Sequence, residues 1–152
     1  MKLIDAKTLA LLHMEEHGVL GTFRFGGFEK CKSTLGRCHY RPVKKITLSE
    51  WYVFNNNELD VEDTILHEIA HALDYMERGR SAHDRNWKKW CLRVGANPQR
   101  CGKSNLNKPD NHYKYVDKCC GKTYRRHRMS LSRMYYCPSC KGSLYTKYRK
   151  VA

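Results

Sequence analysis

The chain has 152 residues, is 41% hydrophobic and carries a formal net charge of +14. That length suits one small catalytic domain with an appendage and excludes two full enzyme domains. No apolar run approaches the roughly 18 residues of a membrane span, and the N-terminal apolar stretch is broken by Asp5, Lys7 and Thr8 with no small-residue cleavage site, so no membrane partner and no secretion are expected.

Residues 4–17 predict an amphipathic helix, with Ile4, Leu9, Leu11 and Leu12 as its apolar positions and Gly18 as its stop. Residues 19–54 predict β structure. VLGTFRF alternates, Gly26-Gly27 interrupts it, and CHYRPVKKITLS is a second run of β-formers. NNNELD reads as a turn. Asp60 is the expected cap of a second helix over residues 61–77, with Glu62 and Asp63 in its positive first turn and Gly79 past its end. A third helix is expected over residues 83–94, stopped by Gly95. GANPQRCGKSNLNKPDN is rich in turn formers and reads as a linker. The division expected is a domain of residues 1–100, a linker of 101–112 and a small cysteine-held β module of 113–152.

The second helix contains His67-Glu68-Ile69-Ala70-His71. Residues four apart stack on one helix face, so both imidazoles reach one ion. Glu68 follows the first ligand and can touch water bound to that ion, whose pKa zinc lowers to about 7. The neighbours Ile65, Leu66, Ile69, Ala70, Ala72 and Leu73 are apolar, so the polar trio stands out. A structural pair of core histidines is the alternative, but their ring nitrogens would then need other partners. A catalytic zinc takes a third protein ligand. Asp74 and Glu77 stand where a longer zinc signature wants glycine and histidine, and Glu77 points off the ligand face. His83 follows a chain reversal through Arg78-Gly79-Arg80-Ser81-Ala82 and is the better candidate. Tyr75 and Tyr52 are candidate oxyanion donors, and nothing in the spacing selects between them.

TILHEIAHALDY, a short connection, SAHDRNWKKW with Trp87, and the upstream LGRCHYRPVKKITLSEWYVF together resemble the SprT-like metallopeptidases. YKYVDKCCGKTYRRHRMSLSRMYYCPSCKGSLY resembles the zinc ribbon that follows the peptidase in many members, so the resemblance spans about residues 20–148. It implies an α+β, zincin-like minimal metallopeptidase domain followed by a small β zinc ribbon. It further implies that His67, His71 and His83 bind a catalytic Zn²⁺, that Glu68 is the base, and that the substrates are proteins close to or crosslinked to DNA.

Cys137-Pro138-Ser139-Cys140 is spaced as one zinc knuckle. The first half departs from pattern, because Asp117 falls where a cysteine belongs and Cys119 is adjacent to Cys120, a pairing that rarely chelates one ion comfortably. We expect a structural Zn²⁺ on Cys119, Cys120, Cys137 and Cys140, with Asp117 and His127 as the other candidates for the fourth ligand. Cys31 and Cys38, near His39, are expected to be small hydrophobes in a strand pair. Cys91 and Cys101 are expected to be structural.

Residues 1–100 hold 16 Lys and Arg against 13 Asp and Glu, whereas residues 101–152 hold 13 against only Asp110 and Asp117. Lysines and arginines there alternate with Tyr115, Tyr124, Tyr135, Tyr136, Tyr145 and Tyr148, and Arg125, Arg126 and Arg128 surround His127. Cations bind phosphates and tyrosine faces stack on bases, so sequence-independent DNA contact is expected. Paired cysteines without a leader suit a reducing compartment, hence a cytoplasmic, DNA-associated monomer acting on protein substrates. The rival readings are a DNA-binding zinc adaptor without peptidase activity, against which an intact Glu68 argues, and a zinc enzyme acting on a non-protein amide.

Overall fold

The computed structural model describes residues 1–99, 115–126 and 133–144, with the side chains of 115–117 and 125–126 left aside. The chain divides into two compact units, Met1–Lys108 and Pro109–Ala152. Helices and strands mix in an α+β arrangement.

The first unit opens with helix α1, Leu3–Glu16, whose buried face is Ala6, Ala10 and Met14. This corrects the expected face: Ile4 is 63% and Leu12 58% exposed. Two alanines four residues apart let the α1 backbone lie close to the neighbouring helix, and close approach wins over bulk here.

Three strands follow: β1 (Arg24–Glu29), β2 (Gly36–His39) and β3 (Lys45–Ser49). The sheet order is β1-β3-β2, with β1 parallel and β2 antiparallel to β3, so β2 is an edge. The central strand β3 turns Ile46 and Leu48 into the core, while Thr47 bonds Glu29 and His39 on the other face. The register slips between Phe25 and Phe28, where a Cβ on Gly26 would lie 2.7 Å from Lys45 Cδ and 2.9 Å from Thr47 Cγ2. The glycine pair is a bulge that lets β1 sit against β3.

The strand expected through residue 54 ends at Ser49. Helix α2, Glu50–Asn55, takes over, and the Ser49 hydroxyl accepts from the Tyr52 N–H. WYVF has strand propensity, but a serine cap and the burial of Tyr52 and Val53 against the core override it. The metal-motif helix is also longer than expected. Helix α3 runs Glu58–Arg78 and is capped by Asn57, whose side chain accepts from the Asp60 N–H at 2.8 Å, so part of the supposed turn is helical and Asp60 is not the cap. Gly79, at φ 71°, ends it. Helix α4 spans Arg85–Val94 and stops at Gly95; His83 lies just before it rather than inside it.

The core gathers Ile65, Ile69, Ala70 and Ala72 of α3, Ile46 and Leu48 of β3, Tyr52 and Val53 of α2, and Trp87, Cys91 and Val94 of α4. Trp87 is its largest fully buried side chain. Trp87→Ala is expected to lower unfolding free energy by about 3–5 kcal/mol in urea titration, and a loss under about 1 kcal/mol would remove Trp87 from the stability account.

In the second unit, β4 (Tyr115–Cys119) and β5 (Lys122–Arg126) form an antiparallel hairpin. Its tip is Cys120 at φ 51° and Gly121 at φ 69°, a pair of left-handed residues that suits the twist of a tight hairpin. A second turn over Cys137–Gly142 is closed by the Cys137 N–H donating to the Gly142 carbonyl at 2.8 Å. Cys101, His127 and Arg128 and most of the expected linker lie outside the described residues, and Arg125 and Arg126 are described only as backbone of β5.

Candidate metal centres

One helical turn of α3 brings His67 and His71 to the same face, and Glu68 sits beside them at 7% exposure. The left-handed Gly79 then turns the chain back. Asp74, fully buried on α3, accepts two hydrogen bonds from Arg78 at 2.6 and 2.7 Å, and Arg78 donates a third to Asp84 at 2.8 Å. Asp84 also caps α4 by accepting from the Asn86 and Trp87 N–H groups at 3.0 and 3.2 Å. This clamp sets the start of α4, and with it His83.

His83 Nε2 lies 3.2 Å from His67 Nε2 and 3.1 Å from His71 Nε2. Ligands about 2.0–2.1 Å from a tetrahedral zinc stand roughly 3.3 Å apart, which both distances to His83 match, and all three imidazoles offer nitrogens within 4.8 Å of one another. Burial, and then the charge of His83, pushes the His67 imidazole down to about 4. Burial, then His67 and His83, pushes His71 down to about 3. Both are therefore neutral at physiological pH, the state in which imidazole binds metal. His71 Nδ1 lies 2.8 Å from Ser81 Oγ, and with an ion on Nε2 it would carry the ring proton and donate it to that hydroxyl. A ligand held by its second nitrogen has its tautomer and orientation set. The Trp87 ring packs against all three imidazoles, at centroid distances of 4.8, 5.1 and 4.5 Å from His67, His71 and His83.

Burial raises the Glu68 carboxyl to about 8, while the Cys38 backbone N–H and the Arg37 charge pull the other way. Its place is made by the edge strand. A Cβ on Gly36 would lie 3.0 Å from Glu68 Cγ, 3.1 Å from Thr64 Cγ2 and 3.3 Å from Glu68 Oε1. Gly36→Ala is expected to displace the carboxylate with metal content unchanged, and any hydrolysis that depends on Glu68 should slow by on the order of 10- to 10²-fold, because small misplacements of a reacting group are costly. Full activity in the Gly36→Ala chain would show that Glu68 tolerates the intrusion.

Of the two tyrosines offered from the sequence as oxyanion donors, Tyr52 has its hydroxyl engaged inside the fold. The Tyr52 hydroxyl donates to the Asp60 carbonyl at 3.0 Å and accepts from Thr64. Tyr75 stacks on Tyr40 at 4.4 Å, with Lys44 over its ring. The places of Ser81 beside His71 and of Gly36 against Glu68 were not legible in the sequence. Both residues act through contacts across the fold, although the place of Ser81 two residues before a candidate ligand was a usable hint.

The second unit gathers Cys119, Cys120, Cys137 and Cys140, with their sulfurs all within 4.8 Å of one another. Cys119 Sγ is 3.3 Å from Cys140 Sγ and 3.9 Å from Cys120 Sγ, close to the roughly 3.8 Å expected around a tetrahedral thiolate-bound zinc. Neighbouring residues on a strand point opposite ways. The φ of 51° at Cys120 breaks that alternation at the hairpin tip, which is how two adjacent thiols come to face one point. The Tyr124 hydroxyl, 3.3 Å away, and backbone N–H groups hold the Cys137 thiol down at about 5, and the Cys140 sulfur pushes Cys119 up to about 12. Asp117 lies on β4, two residues before Cys119.

Among the described residues, Cys31 and Cys38 join no group of metal-binding side chains. The Ser33 and Thr34 hydroxyls lower Cys31 to about 7, and burial with the Glu68 charge raises Cys38 well above the usual thiol range. Burial raises Cys91 to about 12. No helix of the described residues is long and apolar enough to cross a membrane.

A model of the SprT-like family matches residues 13–112. A curated relative called Protein SprT-like, from Staphylococcus carnosus (strain TM300), is 34% identical over 86 residues, 55% of this chain and 55% of its own, so that match spans about half of the relative. Another of the same name, from Geobacillus kaustophilus (strain HTA426), is 30% identical over 148 residues, covering 93% of this chain and 98% of the relative.

Proposed function

This chain belongs to the SprT-like family, and from that premise we propose that it is a zinc-dependent endopeptidase acting on proteins held at DNA. The observation that carries the reading is that His83 lies within 3.2 Å of both His67 and His71, beside a buried Glu68 on the helix of those two histidines. In this reading the first unit is zincin-like, and His67, His71 and His83 would hold a zinc ion whose contribution is Lewis acidity. Glu68 would accept a proton from the attacking water at its carboxylate and return it to the leaving amine. Burial alone disfavours the ionised Glu68 carboxyl, and a dication held by the neighbouring imidazoles would favour the carboxylate that accepts a proton. Ser81 fixes the His71 ring, and Trp87 keeps water from the buried side of the ligands. The second unit is a zinc ribbon with Cys119, Cys120, Cys137 and Cys140 as its four ligands.

The DNA half of the proposal rests on the charge of the last third of the chain. Each phosphate neutralised by Lys or Arg releases counterions, so affinity falls steeply with salt. Replacing Arg125, Arg126 and Arg128 together is expected to reduce the slope of log affinity against log salt by up to about three units, if each touches a phosphate. Residues 1–100 alone are expected to bind DNA far more weakly. Fluorescence anisotropy with single- and double-stranded DNA across a salt series decides this: equal affinity of the truncated and whole chains would remove the basic tail from DNA contact. Casein and histone digestion, with and without DNA and with and without chelator, tests the peptidase itself.

A further inference from the structure

We infer a further metal site at the C-terminal end of α1, where His13, Glu16 and His17 form a two-imidazole, one-carboxylate seat for a transition-metal dication. These positions are three and four residues apart on the last helical turn, and each offers a ligand atom within 4.8 Å of the others. The His13 and His17 rings lie nearly parallel, with centroids 6.2 Å apart and 13° between planes. His13 Nδ1 is 3.1 Å from Glu16 Oε2. Ligand atoms sharing a first-row ion at about 2.0–2.2 Å stand roughly 3 Å apart, so that pair is already at bonding separation.

The other nitrogen of His13 strengthens the case. His13 Nε2 lies 2.9 Å from Oε1 of Glu62, a residue of α3. A neutral imidazole has one N–H and can donate to only one of its two carboxylates. The second nitrogen would otherwise meet its carboxylate lone pair to lone pair, so a cation belongs between them, either a second proton or a metal. If Nε2–H donates to Glu62, Nδ1 presents its lone pair toward Glu16 and His17. That is a carboxylate–histidine–metal arrangement, in which a carboxylate behind the ligand fixes its tautomer and raises its basicity. The negative end of the helix dipole favours a cation at this position. Two nitrogens and one oxygen select zinc, cobalt, nickel or copper over magnesium and calcium. The ion would tie the end of α1 to α3, the helix that carries His67 and His71. His13 is 13% and Glu16 60% exposed, so open coordination positions fall to water.

The test is calorimetric titration of Zn²⁺ into the full chain after its histidine and cysteine centres have been filled. One further ion is expected, accompanied by a rise in Tm. His17→Ala, a change at the helix end, should abolish that event, and Glu62→Gln should weaken it about 10- to 100-fold. The pair His67→Ala and His71→Ala should leave it intact, which separates this site from the peptidase proposal. Ca²⁺ should give no such event. Absence of a further ion would overturn the site and leave a second proton on His13 as the bridge. So would an ion that survives His17→Ala, or one for which Ca²⁺ substitutes equally.

Discussion

A Glu68→Gln chain is expected to lose cleavage of casein or histone by on the order of 10²–10⁴-fold while keeping its metal and its DNA affinity. Gln keeps the shape of Glu and removes the carboxylate that accepts the proton. The residue is not placed as a ligand, since the three Nε2 atoms of His67, His71 and His83 are the converging donors. The substitution also replaces a carboxyl that burial disfavours when ionised, so the variant should fold at least as well as the parent. Initial rates at matched metal content are the measurement. A variant cleaving at the parental rate would take the base role from Glu68.

Removing the ligands should have the other large effect. The purified chain is expected to hold one ion at the histidine centre and one at the cysteine centre. His67→Ala with His71→Ala should remove one ion and all measurable hydrolysis, because a water without its metal is too weak an acid to be activated by a carboxylate alone. The cysteine centre should keep its ion, because its four sulfurs come from the second unit. Metal analysis by mass spectrometry on the parent and the variant reads this directly. A single ion in the parent that persists in the variant would leave the histidine centre empty in solution and sink the peptidase reading.

The His-Glu-His motif was legible because its geometry is local. Four residues span about one turn of any α-helix, so His67 and His71 share a face wherever that helix sits. Gly79 and Gly95 as helix stops were legible for the same reason, since a left-handed residue after a helix favours glycine. The extent of α3 was not. Asn57 outcompeted Asp60 as the cap, and both residue types serve at that position, so the choice depended on where the preceding helix α2 released the chain. The helix α2 itself was hidden because WYVF favours strand until burial of Tyr52 and Val53 is weighed.

Composition, charge asymmetry, the His-Glu-His spacing and the Cys137–Cys140 knuckle were enough to mark two candidate metal centres and a basic last third, because each depends on residues close in the chain or on sums over it. The surroundings of that chemistry depend on contacts between distant residues. Gly36 comes up against Glu68 only when the edge strand β2 packs on α3, and Ser81 reaches His71 only when the Asp74–Arg78–Asp84 clamp folds the connection back. The fully buried positions of α1 are Ala6, Ala10 and Met14, with Leu9 packed half-buried beside them and Ile4 and Leu12 exposed, because the distance between helix axes decides which side chains fit. Cys119 and Cys120 face one point only because a left-handed residue at the hairpin tip breaks the alternation that extended chain would impose on neighbours.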